Sequence, residues 1–410
     1  MRIAVWHNLP NGGGKRALYD QIRGLIARGH IVEAWCPPSA DQSYLPLSEL
    51  IPEHVVPLAS PLRDLRHTSA RGPKLLRTIG PARRHCRECM EVISRGRFDV
   101  LLAGTCQFYH ASSIARYARM PTVLYLQEPC RHRYEALPRL PWVAREVPAR
   151  WWMSPVQISR ILTNGLRLQT ERLLAREELQ NARAFGSILV NSYYSRESVL
   201  RAYGLDAKVC YLGVDTGLFV NHRRQRENIV VGIGSLTPEK NVDFVIRALA
   251  RVKPPRPKLV WIGNYIKEAY LKQLVDLAKA YDLAFEPKLM VPDRDLVDIL
   301  NRASVMAYAP RLEPFGFSPL EGNACGLSVV AVAEGGVRES VIDGVTGLLV
   351  EHEPDAMAAA IQRLLDSPNY ARELGDNGCR IVAERWTLKH SADRLEARLF
   401  EAIKGPERAP

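Results

Sequence analysis

Two glutamates, Glu313 and Glu321, are separated by seven intervening residues in APRLEPFGFSPLEGNACGLSVVAVAEGGVRESVIDGVTGLLVE, a stretch otherwise rich in apolar residues, glycine and proline. The polar neighbours that would make a solvated face are missing. Carboxylates accept paired hydrogen bonds from the vicinal hydroxyls of a ribose or hexose, and glycines such as Gly316 let backbone amides approach a phosphate. A second candidate is GSLTPEKN, Gly234 to Asn241, which follows a strand-like run and opens a helix. Lys240 there could neutralise a diphosphate, although by itself it reads better as an exposed lysine in a first helical turn. A third is NGGGKR at 11–16, again between strand and helix. A helix N-terminus with glycines suits an anion, but neither GxGxxG nor the Walker spacing is matched, so a tight structural turn remains open.

The elements that must hold these residues alternate between strand-like and helix-like text. RIAVWHN, IVEAWCP, FDVLLAG, PTVLYLQ and SILVNS form one series of short apolar runs; NIVVGIGS, KLVWIGN, AFEPKL, SVMAYAP, LSVVAVAE and TGLLVE form another. ALYDQIRGLIARG reads as a helix ending at Gly29. Strands alternating with helices predict βαβ units on parallel sheets, and two series predict two Rossmann-like domains. The polar HRRQRE places a connector around 217–228, and the final stretch from Arg380 is an amphipathic helix with Trp386, Leu388, Leu395, Leu399 and Phe400 as core candidates. Asp293-Arg294-Asp295 is better read as the capped first turn of a helix than as a metal-binding DxD motif.

At 410 residues, 47% hydrophobic and 24% charged, the chain fits two globular cores and is not disordered. No run approaches the roughly 20 apolar residues of a membrane-spanning helix. The start MRIAVWHNLP lacks a basic-then-apolar leader, and eight scattered cysteines do not make a disulfide framework, so a cytoplasmic protein with reduced thiols is expected. Cys86 and Cys89 beside His85 read as half-buried thiols on a helix rather than a metal site.

The net charge of +12 is uneven. Residues 1–210 hold 30 Lys+Arg and 17 Asp+Glu, a net of +13, whereas residues 211–410 hold 26 and 27, a net of −1. The densest basic part is 63–97, and 27 of the 30 basic residues in the first half are arginines. Such a face suits phosphate-rich partners, and a membrane surface or phosphorylated lipid acceptor ranks above nucleic acid. Residues 137–162 interleave Trp142, Trp151 and Trp152 with Arg139, Arg145, Arg150 and Arg160. That pattern fits a membrane surface or a loop over an acceptor site.

Taken together, GGGKRALYDQIRGLIARGHIVE, VNSYYSRESVLRAYG with VCYLGVDTGLF, GSLTPEKN, and EPFGFSPLE with GGVRESVIDGVTGLLVE resemble glycosyltransferase family 4. That family is retaining and nucleotide-sugar-dependent. The resemblance implies the GT-B fold, an α/β arrangement of two Rossmann-like domains with parallel sheets facing a central cleft. Residues 1–212 would be the acceptor domain, completed by a C-terminal helix at 385–410, and 213–384 the donor domain.

It also implies roles. Glu321 matches the glutamate on the nucleotide ribose and Glu313 the one near the reacting centre of the donor sugar. Phe315, Gly316, Phe317 and Ser318 belong to the stretch whose amides meet sugar and phosphate. Lys240, with Gly234 and Ser235 in its turn, matches the diphosphate-neutralising lysine, and Gly13 matches the loop glycine facing diphosphate or acceptor. Two departures stand out: Ser235 replaces a common arginine, and Gln127 stands where a histidine is common. Lys15, Arg16, His110 and Arg131 are the acceptor-side candidates, with Lys15 or Arg16 as replacement cations.

The implied chemistry is transfer of a hexose, with GDP-mannose the suggested donor, to a glycan or lipid-linked acceptor of the cell envelope. The protein would be cytoplasmic, on the inner face of the membrane. Front-face attack, with the leaving diphosphate taking the acceptor proton, needs no metal or other cofactor. A nucleotide-sugar 2-epimerase of the same fold and a non-catalytic nucleotide-sugar or anionic-lipid binder are the alternatives.

Overall fold

Each of the apolar runs named above forms a strand in the computed structural model, and every strand pairing is parallel. The structure describes residues 1–58, 77–135, 142–143 and 155–405. The first sheet holds β1 (Arg2–Asn8), β2 (Ile31–Cys36), β3 (Glu53–Val55), β4 (Val100–Cys106), β5 (Thr122–Tyr125), β6 (Ser187–Val190) and β7 (Lys208–Val209), in the order β3-β2-β1-β4-β5-β6-β7. The second holds β8 (Glu227–Ile233), β9 (Lys258–Gly263), β10 (Phe285–Leu289), β11 (Ala303–Tyr308), β12 (Val329–Val332) and β13 (Gly347–Val350), in the order β10-β9-β8-β11-β12-β13. Helices on both faces explain why strands such as β1 and β4 are buried at nearly every residue rather than alternating.

Both orders reverse direction at one place, between β1 and β4 in the first sheet and between β8 and β11 in the second. In open parallel sheets, ligands gather outside the carboxyl ends of strands at such a switch point. The residues that follow β1, β4, β8 and β11 are therefore the ones to inspect.

The chain divides into two compact units. Unit 1 is Met1–Asn191, Ser195–Cys210 and Arg394–Pro410; unit 2 is Ser192–Tyr194 and Tyr211–Asp393. The polar connector expected around 217–228 is bound structure in unit 2, not a loose strand of chain. Arg226 donates to the carbonyls of Leu300, Ala303, Cys325 and Gly326 at 2.6–3.1 Å, and the His222 amide donates to Asn301 Oδ1 at 2.7 Å. The last helix, Leu388–Lys404, contributes buried Leu395 and Leu399 and returns to unit 1, where Glu396 meets His30 at 2.6 Å. Phe400, expected inside, is 43% exposed.

Cys86 and Cys89 are fully buried rather than half-buried, and burial pushes the Cys86 thiol up to about 12. His85 beside them accepts a hydrogen bond from Trp6 Nε1 at 3.2 Å. The arginine-rich span 63–76 and most of the tryptophan region, 136–141 and 144–154, lie outside the described residues. Trp142 donates from Nε1 to the Arg133 carbonyl at 3.0 Å. Among the described residues, no helix is long and apolar enough to cross a membrane.

Candidate functional site

In unit 2 the two sides of the switch point each supply one charge. After β8 the chain passes Gly234 and Ser235, makes one short turn at Pro238–Lys240, and enters the helix Val242–Leu249 through Asn241. Asn241 has φ 57°, a left-handed conformation that asparagine tolerates better than most residues, and its Nδ2 sits 2.9 Å from His352 Nε2. A Cβ on Gly234 would come within 3.2–3.3 Å of the Lys240 side chain, so the glycine makes room for the lysine to lie across it. Lys240 Nζ then reaches Glu313 Oε2 at 2.7 Å, and both side chains keep about a fifth of their surface open (22% and 18%).

Glu313 follows β11 in a turn pinned by backbone. The Gly336 amide donates to the Glu313 carbonyl at 2.8 Å, and Ser192 Oγ donates to the Pro314 carbonyl at 2.5 Å. Added side chains at Gly335 and Gly336 would run into the backbone carbonyls of Glu313 and Pro314, so both glycines are required by the close approach of two chain segments. Gly316, at φ 83°, then starts the helix Phe317–Ala324. The first amides of a helix have no intrahelical acceptor, so those of Phe317 and Ser318, shortly after Glu313 in the chain, are able to meet an anion. Glu321 is in this helix and is buried (5% exposed). Phe315 takes a different part from that of its backbone: its ring is buried against Trp386 and Tyr211, with centroids 5.6 and 6.1 Å away.

In unit 1 the glycine loop follows β1 and opens the helix Gly13–Ile26. Cβ atoms placed on Gly12 or Gly13 would meet nothing within 4 Å, so these glycines leave open space. One on Gly14 would stand 3.0 Å from both polar atoms of the Gln127 amide, which places Gln127 directly over the loop. Gln127 is itself anchored through its backbone: its backbone N–H donates to Thr105 Oγ1 at 3.3 Å and its backbone carbonyl accepts from Ser195 Oγ at 2.9 Å.

Lys15, expected on the acceptor side as a replacement cation, turns inward and is fully buried. It is the third residue of the helix and falls on the face packed against the sheet, near Glu53, Cys36 and Asp41, where burial holds its ammonium below the usual range. His7 Nε2 and Glu53 Oε1 are 2.8 Å apart in the same cluster. Burial alone would raise the Glu53 carboxyl, but the His7 hydrogen bond and the charge of Lys15 outweigh it and hold it below the usual carboxylate range. His7, Cys36 and Glu53 offer ligand-type atoms within 4.8 Å of one another, but with Lys15 alongside, the negative charge of Glu53 is already balanced by protein. Sequence reading missed this cluster because Glu53 lies on a three-residue edge strand with no periodicity to mark it.

The other acceptor-side candidates stay near the surface. Arg16 stacks over the Tyr44 ring at 5.8 Å, and Arg131 pairs with Glu128 at 2.5 Å. His110 stands at the end of β4 with its ring on the Glu128 carbonyl, Nδ1 to O 3.1 Å. Asp293 and Asp295 lie in the first turn of the helix Asp293–Arg302, as expected.

Residues 216–380 match a family described as glycosyl transferases group 1. The chain is 31% identical over 243 residues to the GDP-mannose-dependent alpha-(1-6)-phosphatidylinositol monomannoside mannosyltransferase of Mycolicibacterium smegmatis, covering 53% of this chain and 62% of that protein. It is 28% identical over 208 residues to the alpha-1,3/1,6-mannosyltransferase of Rhizomucor pusillus, covering 43% and 46%. The chain thus spans about half the length of several curated relatives it matches. Among solved structures, the sucrose-phosphate synthase of Thermosynechococcus elongatus superposes with a TM-score of 0.74 at 18% identity, covering 98% of this chain and 99% of that one. Anabaena HepE in complex with UDP-glucose gives 0.67 at 20% identity, with the same coverage.

Proposed function

We propose that this chain, which has the GT-B fold and whose residues 216–380 belong to the group 1 glycosyl transferases, is a retaining hexosyltransferase that uses a nucleoside-diphosphate sugar. The observation that carries this reading is the Lys240–Glu313 pair, set on the two sides of the unit 2 switch point with a helix N-terminus shortly after Glu313 in the chain. A cation and the first amides of a helix suit a diphosphate; two carboxylates suit the hydroxyls of sugar and ribose.

In this reading Glu321 holds the ribose and Glu313 orients the donor sugar. As the C1–O bond to the diphosphate breaks, the leaving oxygen gains charge, which Lys240 and the amides after Gly316 stabilise. The acceptor oxygen bonds to C1 on the same face and passes its proton to the leaving phosphate oxygen. No residue in the scheme has to hold a metal.

Mannose from a GDP donor and a lipid-linked acceptor are the favoured substrates, supported by the mannosyltransferase relatives and the basic excess of unit 1. The helix Pro155–Ala182 adds to the case for a membrane: Ile161, Leu162 and Leu166 are exposed close to Arg167. These features support work at the cytoplasmic face of an anionic membrane, in the making of an envelope polysaccharide or glycolipid.

The test is a panel of GDP-, UDP- and ADP-sugars with purified protein, scoring binding and slow donor hydrolysis, then transfer to polyol and glycolipid acceptors. GDP-mannose should bind and turn over. Failure of every donor to bind would sink the transferase reading, and failure to bind anionic liposomes at low salt would remove the membrane.

A further inference from the structure

We propose that His110 of unit 1 accepts a hydrogen bond from a non-reacting hydroxyl of the acceptor, an assignment that rests on the glycosyl-transfer reading above. Three features of this residue converge on that role.

The first is its backbone. His110 has φ 54°, in the left-handed region that side-chain-bearing residues seldom adopt and in which asparagine, aspartate and histidine are enriched. The conformation is enforced from both ends: the Cys106 amide donates to the His110 carbonyl at 2.8 Å, and the His110 amide returns to the Cys106 carbonyl at 2.7 Å. This closes a five-residue turn directly on the end of β4, one of the two strands that flank the switch point.

The second is its ring. A carbonyl oxygen can only accept, so the contact with the Glu128 carbonyl at 3.1 Å places the hydrogen on Nδ1. In the neutral imidazole Nε2 is then a hydrogen-bond acceptor. Among the described residues, the ring's hydrogen bonding is through Nδ1, and the side chain is half-buried, held but reachable.

The third is its company. Gln127, the residue before the one that pins His110, presents a carboxamide over Gly14 of the glycine loop. An amide can orient a hydroxyl but has little basicity. His7, the other imidazole of this sheet edge, is fully buried and committed to Glu53. His110 is therefore the imidazole that β4 and β5 place at the ligand-facing end of unit 1. The ligand class is a polyhydroxylated acceptor, a sugar or cyclitol, whose hydroxyl donates to Nε2.

The discriminating substitution is His110→Asn. Asparagine accepts positive φ and its amide N–H can still donate to the Glu128 carbonyl, so the turn survives while the Nε2 acceptor is lost. Initial rates against acceptor concentration at saturating donor should show kcat/KM for the acceptor falling roughly tenfold or more. Donor KM, nucleotide Kd and thermal midpoint should stay unchanged. His110→Ala should show the same loss together with a lower midpoint. The assignment is overturned if His110→Asn keeps acceptor kcat/KM within about twofold, which would leave His110 a turn residue only. If the wild-type protein transfers sugar from no donor, the glycosyl-transfer reading falls and this assignment falls with it.

Discussion

The two units anchor a loop at the carboxyl edge of a parallel sheet with different materials. In unit 2 the Glu313 turn is clamped backbone to backbone against Gly335 and Gly336, leaving Lys240 and Glu313 half-open to each other. In unit 1 there is open space around Gly12 and Gly13, and charged residues of the unit are spent internally: Lys15 is buried beside the His7–Glu53 pair, and Arg133 meets buried Glu178 at 2.7 Å. A backbone clamp holds the turn without drawing on the charged side chains, which keep about a fifth of their surface open. A buried ionic cluster uses up its charges in holding the fold, as Lys15 does beside His7 and Glu53.

The sharpest way to break this contrast is a pair of alanine substitutions. Gly336→Ala places a Cβ against the Pro314 carbonyl and 2.9 Å from Phe315 Cα, both backbone, and should cost about 3 kcal/mol or more with loss of nucleotide binding. Gly13→Ala should change stability by less than about 0.5 kcal/mol. Denaturant unfolding of both variants decides it; equal losses would mean that the glycine loop is clamped too.

Next in size is Lys240→Met. Removing one charge-stabilising donor should lower turnover roughly 100- to 1000-fold with the fold intact. Glu313→Gln should act on the same step, so the double variant should lose much less than the product of the two. Transfer rates in a double-mutant cycle check this, and full independence would separate the two residues.

Acid should distinguish the units through stability. Burial lowers His85 of unit 1 from its ordinary 6.5 to about 4 and lowers His7 in the same direction. The unfolded chain then binds protons that the native unit refuses. The stability is complete above pH 6.5 and is lost as pH falls toward 4, roughly 3 kcal/mol for His85 alone. Hydrogen exchange, corrected for intrinsic rates, should show unit 1 peptides losing protection between pH 7 and 4.5 before those of unit 2. The reverse order would overturn the assignment of buried neutral histidines to unit 1.

The smallest expected effect is Glu321→Ala, which should weaken nucleotide affinity by about tenfold, measured by titration calorimetry, with the acceptor KM unchanged. A change in acceptor KM instead would move Glu321 off the nucleotide.

The fold was largely legible because buried parallel strands are written as continuous apolar runs, and eleven of the thirteen were visible as such. The two that escaped, Glu53–Val55 and Lys208–Val209, are edge strands of three and two residues, too short to carry a pattern. The candidate site was legible where the chemistry is local, as in the Glu313–Glu321 segment. It was not legible where a role depends on long-range partners, as with the turn of His110 or the Phe315 ring packed on Trp386.

Lys15 and Lys240 mark the division most clearly. Each follows an apolar strand and a glycine turn at the opening of a helix, and the sequence by itself determined that much for both. Which of them is buried and which stays partly open was decided only by the tertiary structure. A side chain's direction depends on which face of its helix meets the sheet, and on which strand lies beside its own. Lys15 falls on the face that packs toward β2 and β3, whereas Lys240 reaches across to Glu313, beyond the end of β11. Strand order is a property of non-local pairing, and local spacing does not encode it.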